Sequence, residues 1–120
     1  MASVTGFGGA FVRAKDPEAL YAWYEQHLGL VMSDGCFNFP ASAQRAKVVL
    51  AFFGQDDEYF PSAQKAMINL QVDDVDGVLD RLTAEGVPVD PNRESYDFGR
   101  FGWFTDPEGN RVELWQPQDR

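Results

Sequence analysis

Residues 104–115 read Phe104-Thr105-Asp106-Pro107-Glu108-Gly109-Asn110-Arg111-Val112-Glu113-Leu114-Trp115. Proline stands where a tight turn wants a fixed φ, and glycine where it wants a positive one, so the stretch reads as a hairpin. Its arms are residues 101–105 and 111–115. Period-two alternation sends Val112 and Leu114 to one face, assigned to the helices, and Arg111, Glu113 and Trp115 to the other. If Asp106 and Asn110 flank the turn symmetrically, Trp103 lies opposite Glu113, and a carboxylate sits between indole rings. Such an acid in mid-strand is costly unless its face is wet, paired or used. The plain alternative is a salt bridge to Arg100, Arg111 or Lys47 on a solvated sheet face.

Outward from the hairpin, the chain reads twice. Asp74 is a good N-cap for a helix carrying Val75, Val78, Leu79 and Leu82 at i, i+3, i+4 and i+7 before Gly86. Residues 67–72 precede it as a strand, residues 87–89 make a short strand at best, and residues 91–100 form a polar, aromatic loop of ligand-covering composition. The earlier copy has Asp16 as N-cap, Pro17 at the first helical position, Leu20, Trp23, Tyr24, His27 and Leu28 at helical spacing, and Gly29 as the left-handed stop. A glycine-rich first strand over residues 6–12 precedes that helix, without dinucleotide-binding spacing. Short strands at 30–32 and 36–39 surround a Ser33-Asp34-Gly35 turn, and a longer buried strand is predicted over 47–53. The acidic stretch 55–62 is the boundary between the copies.

Composition narrows the function classes. The 120 residues fit one domain, long enough to bury roughly two thirds of the unfolded surface. A net charge of −9 repels phosphate backbones, which argues against nucleic acid and suits a cationic ligand or mere solubility. No apolar run of spanning length and no secretory leader is read, so a cytoplasmic protein without membrane contact is expected. The single cysteine, Cys36, reads as a structural thiol, and the single histidine, His27, as a packed residue complementing the end of its helix.

The repeated strand-helix pattern and the stretch 104–115 resemble the vicinal oxygen chelate superfamily of glyoxalase I, extradiol dioxygenases, fosfomycin-resistance enzymes and bleomycin-resistance proteins. The resemblance implies an α+β fold of two βαβββ repeats, about residues 5–54 and 66–117, curled into a half-open barrel of mixed sheet with helices outside. It also implies a homodimer. In metal-using members a histidine precedes each helix and a carboxylate follows the final turn. The corresponding positions here are Gly9, Met67 and Glu113. Residues 47–53, where a glyoxalase-like fourth ligand would stand, contain neither histidine nor carboxylate. An open divalent site needs two or three fixed ligands, so no cofactor is expected beyond a weak contact of an ion with Glu113. Exchange of strands in a dimer would repeat the same deficit.

The reading that follows is a metal-free protein binding a small organic, cationic aromatic ligand, with Glu113 as anchor, Trp103 and Trp115 as lining, then Phe11 and Arg100. The alternative is a lyase, isomerase or dioxygenase of the same superfamily with an atypical site. Glu113 would then be the catalytic base, and Arg100 or Arg111 would hold a substrate anion. A third class is an interaction module whose cavity is filled by its own side chains.

Overall fold

The hairpin is the centre of the protein. In the computed structural model, which describes residues 2–118, strands β5 (Gly99–Thr105) and β6 (Arg111–Pro117) pair antiparallel, with Trp103 opposite Glu113 and Phe101 opposite Trp115. Strand β3 (Asn69–Gln71) runs parallel to β6, and β4 (Glu94–Tyr96) antiparallel to β5, giving a mixed four-stranded sheet in the order β3-β6-β5-β4. Val89 adds an isolated bridge to Phe104. Half of the polar loop expected over 91–100 is thus drawn into the ladder.

Both helices begin as their sequences dictate. Helix α1 (Pro17–Leu28) starts where Asp16 accepts the Ala19 N–H and ends on Gly29 at φ 70. Helix α2 (Val75–Ala84) starts where Asp74 accepts the Gly77 N–H, and Gly86 at φ 83 turns the chain away. Val75, Leu79 and Leu82 of α2 are buried against Phe104, Val112 and Leu114, the face assigned to them by alternation. Each such side chain contributes about 1.5–3 kcal/mol on burial. Helix α1 joins the same face: Trp23 stacks on Phe104 with ring centroids 5.8 Å apart, and His27 Nδ1 lies 2.7 Å from Glu85 Oε1 at the end of α2.

The turn of the hairpin fastens α1 in place. Asp106, 5% exposed, accepts from the backbone of Glu108 and Asn110, from the Asn110 amide and from the Tyr24 hydroxyl at 2.8 Å. Glu108 in turn accepts the backbone N–H groups of Lys15 and Asp16 at 2.8 and 3.0 Å. These contacts explain the residue types of the Asp-Pro-Glu-Gly-Asn stretch beyond turn geometry, because both acids bond the first half of the chain.

The first copy departs from the sequence expectation. Its only ladder is a ribbon of β1 (Met32–Ser33) and β2 (Cys36–Phe37), closed by Asp34 at φ 57 and Gly35 at φ 82. Residues 6–12 and 47–53 lie outside every strand, and the buried strand expected over 47–53 is exposed: Leu50 is 65% and Phe52 91% accessible. The physical reason is the lack of a neighbour. Their alternation and apolar content suit a ladder, and no other strand of the described chain runs beside them. The α+β architecture holds; among the described residues no barrel closes, and one main sheet is supplied by the second copy.

Candidate functional site

Three adjacent strands bring three polar side chains into one row on the sheet face turned away from the helices. Asn69 on β3, Glu113 on β6 and Trp103 on β5 are consecutive register partners. Asn69 Nδ2 donates to Glu113 Oε1 at 2.6 Å, and Trp103 Nε1 donates to Oε2 at 3.0 Å. A third donor, the Tyr59 hydroxyl, reaches Oε2 from the acidic segment between the copies. Glu113 is only 7% exposed, so this carboxylate is buried on a sheet face with hydrogen bonds from three neutral groups. Three of the roughly four acceptor positions of a carboxylate are thereby used.

The segment carrying Tyr59 folds back over the sheet instead of staying solvated. Its ring meets Trp103 edge-on at 5.8 Å and stacks on Phe53 at 5.4 Å. Burial and the hydrogen bond to Glu113 push the Tyr59 phenol well above the usual tyrosine range, so it stays a protonated donor at neutral pH. Arg111 secures the segment from beneath. Its Nε donates to the Tyr59 carbonyl at 3.1 Å, its Nη1 pairs with Asp90 at 3.1 Å, and its guanidinium lies 5.1 Å from the centre of the Trp103 ring. Gln64 completes the attachment by bonding both the N–H and the carbonyl of Arg111.

One row further along, Phe101 and Trp115 lie parallel across the strands, 6.0 Å apart and inclined by 3°, both partly exposed. Trp115 Nε1 donates to the Phe98 carbonyl at 3.0 Å, which fixes the indole plane. An open groove of about 350 Å³ runs beside this indole, between Phe98 and the start of the 45–49 segment. Gln71 pins that segment by accepting from Arg45 and Ala46 and donating to the Ala46 carbonyl.

Of the residues singled out in the sequence, Glu113, Trp103 and Trp115 share this face. Arg100 does not: it projects to the helix side, where it binds Asp76 through Nε and Nη2, each at 3.0 Å, and Ser95 through Nη1. Phe11, 104% exposed, stands in the N-terminal arm and is not brought to Glu113. Sequence reasoning missed Asn69 and Tyr59. The alternation of Ile68 and Leu70 with Asn69 and Gln71 could have put Asn69 beside the acid, whereas nothing in the local pattern marks Tyr59.

The positions that the resemblance marks out for metal ligands offer no chelating set. Gly9 has no side chain, Met67 brings a thioether, and the Glu113 oxygens already accept from three donors. Among the described residues no three His, Cys, Asp or Glu side chains converge as a metal-binding group. An open divalent site does not fit these residues.

A helix-backed mixed sheet with an aromatic face and a buried acid makes an α+β architecture. Residues 6–114 match the glyoxalase/bleomycin resistance protein/dioxygenase superfamily, and the chain belongs to that family. Among solved structures it is similar to TnmS3, an antibiotic binding protein from Streptomyces sp. CB03234, at 26% identity and TM-score 0.57, covering 89% of this chain and 91% of that one. It also resembles FosX, a genomically encoded fosfomycin resistance protein from Listeria monocytogenes, at 18% identity and TM-score 0.59, covering 97% and 96%. A superfamily member from Sphaerobacter thermophilus DSM 20745 is similar at 23% identity and TM-score 0.55, covering 97% and 98%. The last two likenesses, at their low identity, speak to the fold. No curated protein matches the chain significantly. No described helix is long and apolar enough to cross a membrane.

Proposed function

We propose that this protein binds a small, flat, cationic organic molecule on the helix-free face of its sheet, without a metal and without turnover. The observation that carries this reading is Glu113: a buried carboxylate among aromatic rings whose three hydrogen bonds all come from neutral groups. Neutral donors stabilise the charge without cancelling it, and a flat cation against the aromatic rings of this face would complete the pairing. The likeness to an antibiotic binding protein at 26% identity supports a binding role.

The binding form we infer is a cytoplasmic homodimer. Residues 6–12 and 47–53 expose Phe7, Phe11, Val12, Val48, Val49, Leu50 and Phe52, apolar side chains of the kind that a partner covers. A second copy supplies exposed apolar segments of matching character, and no histidine at the positions of Gly9 and Met67.

Tryptophan fluorescence tests the binding role with benzamidinium and benzoate, flat ions of nearly equal size and opposite charge. Benzamidinium is expected to change the emission saturably and benzoate to leave it unaltered. Equal responses to both, or to neither, would overturn the reading.

A further inference from the structure

We propose that the Tyr59 hydroxyl stands in for a hydrogen-bond donor of the ligand, so that the molecule taken by this site is an aryl cation bearing an N–H or O–H donor that replaces Tyr59 at Glu113. The inference rests on the binding role proposed above and specifies its ligand. Three observations converge on it.

The first is the unequal attachment of the three donors. Asn69 and Trp103 belong to strands laddered directly to Glu113, so their positions are set by sheet hydrogen bonds. Tyr59 arrives from an irregular segment. Its backbone bonds are a turn from Asp57 N to the Gly54 carbonyl, the Tyr59 N–H to Asp57 Oδ1 and the Arg111 side chain to the Tyr59 carbonyl, none of them part of a sheet ladder. The backbone of its segment can shift without breaking a strand pairing, whereas the backbones of Asn69 and Trp103 cannot.

The second is the chemistry of the contact. Tyr59 presents an aromatic ring edge-on to Trp103 and face-on to Phe53, with a donor at its tip pointing into the buried carboxylate. A planar ligand ring with a donor substituent makes the same three contacts, and a cationic one adds charge pairing that a neutral phenol lacks. A ligand without a donor would strip Glu113 of one hydrogen bond and return none, which is costly for a buried charge.

The third is the surrounding charge. The Arg111 guanidinium is held by Asp90 and by the Tyr59 carbonyl, so on this face it is paired while Glu113 accepts only from neutral donors. Asp56, Asp57 and Glu58, immediately before Tyr59, are exposed and add negative charge to the segment.

Isothermal titration with two probes tests the proposal: benzamidinium, a flat cation with N–H donors, and trimethylphenylammonium, a flat cation with none. Wild type is expected to bind benzamidinium on the order of tenfold more tightly than trimethylphenylammonium. The variant Tyr59→Phe, which keeps the ring and deletes the competing donor, is expected to bind benzamidinium about tenfold more tightly than wild type. Tyr21→Phe, on α1 away from the acid, serves as the control and leaves both affinities unchanged. Equal affinity of wild type for the two cations, or a Tyr59→Phe variant that binds benzamidinium no better than wild type, overturns the stand-in role while leaving the binding function in place. Absence of binding of either cation by wild type and variant alike overturns the binding function, and this inference with it.

Discussion

Trp103 and Glu113 face each other across the central hairpin, and the indole Nε1–H donates to the carboxylate at 3.0 Å. An exposed pair of this kind would be worth little, but here both residues are buried, Trp103 at 2% and Glu113 at 7% exposure. The bond therefore fixes the direction of the buried Glu113 carboxylate on the helix-free face and ties its position to the strand register. Any ligand that meets Glu113 meets it in a set orientation, next to an aromatic wall.

The Tyr24 hydroxyl connects the first helix to the hairpin turn through Asp106 at 2.8 Å. In Tyr24→Phe the ring packing stays and a hydrogen bond to a buried carboxylate is lost, so a destabilisation of about 1–2 kcal/mol is expected in urea unfolding. Because Asp106 keeps its bonds within the turn, the hairpin itself should survive. An unchanged midpoint would mean that the bond does not fasten α1 to the sheet.

Two phenols give a pH dependence with a definite sign. Tyr24 and Tyr59 both have folded-state pKa values raised above the unfolded value near 10, mainly by burial and then by Asp106 and Glu113. A raised tyrosine contributes stability that is fully present below the unfolded pKa and is lost as pH rises through the folded one. Stability is therefore expected to fall progressively above about pH 10. Phenolate absorbance of the folded protein should show Tyr24 and Tyr59 silent until the chain unfolds. Early ionisation of all four tyrosines would contradict the burial of these two.

Gly99 marks the tightest backbone approach in the sheet. At φ +144, a Cβ there would lie 2.5 Å from the Gln116 carbonyl oxygen and 2.4 Å from Trp115 Nε1. Gly99→Ala is expected to cost about 2–3 kcal/mol and to disturb the Trp115 indole, visible as an emission shift. Gly54→Ala, where a Cβ meets nothing within 4 Å, should change stability by less than about 0.5 kcal/mol.

The exposed apolar arms lead to an assembly measurement. Sedimentation at micromolar concentration is expected to give a dimer, and the double variant Phe11→Asp/Phe52→Asp a monomer, since charge on both arms opposes their coverage. A wild type that sediments as a monomer would remove the reason for invoking a second copy.

The hairpin and both helices were legible because their signals are local: Asp16 and Asp74 cap, Gly29 stops a helix, and alternation around Asp-Pro-Glu-Gly-Asn sets the register that pairs Trp103 with Glu113. Residues 47–53 carry an equally good strand pattern, yet a strand also needs a neighbour, and that is not written in the segment itself. The site was half legible for the same reason. Glu113, Trp103 and Trp115 follow from period two on one hairpin. Arg100, by the same parity, belongs with Gly102 and Phe104 on the helix side, and its bond to Asp76 reflects this. Tyr59 comes to Glu113 through a 54-residue separation in sequence, a distance over which no local pattern operates.

Everything proposed about ligand chemistry depends on the negative charge of Glu113, and Glu113→Gln removes that charge while keeping nearly the same shape. Calorimetric titration of benzamidinium into the wild type and this variant is the direct comparison. Affinity is expected to fall by at least about tenfold in the variant, the loss of a charge-assisted contact. Equal affinity in the two proteins would show that the buried carboxylate does not meet the ligand.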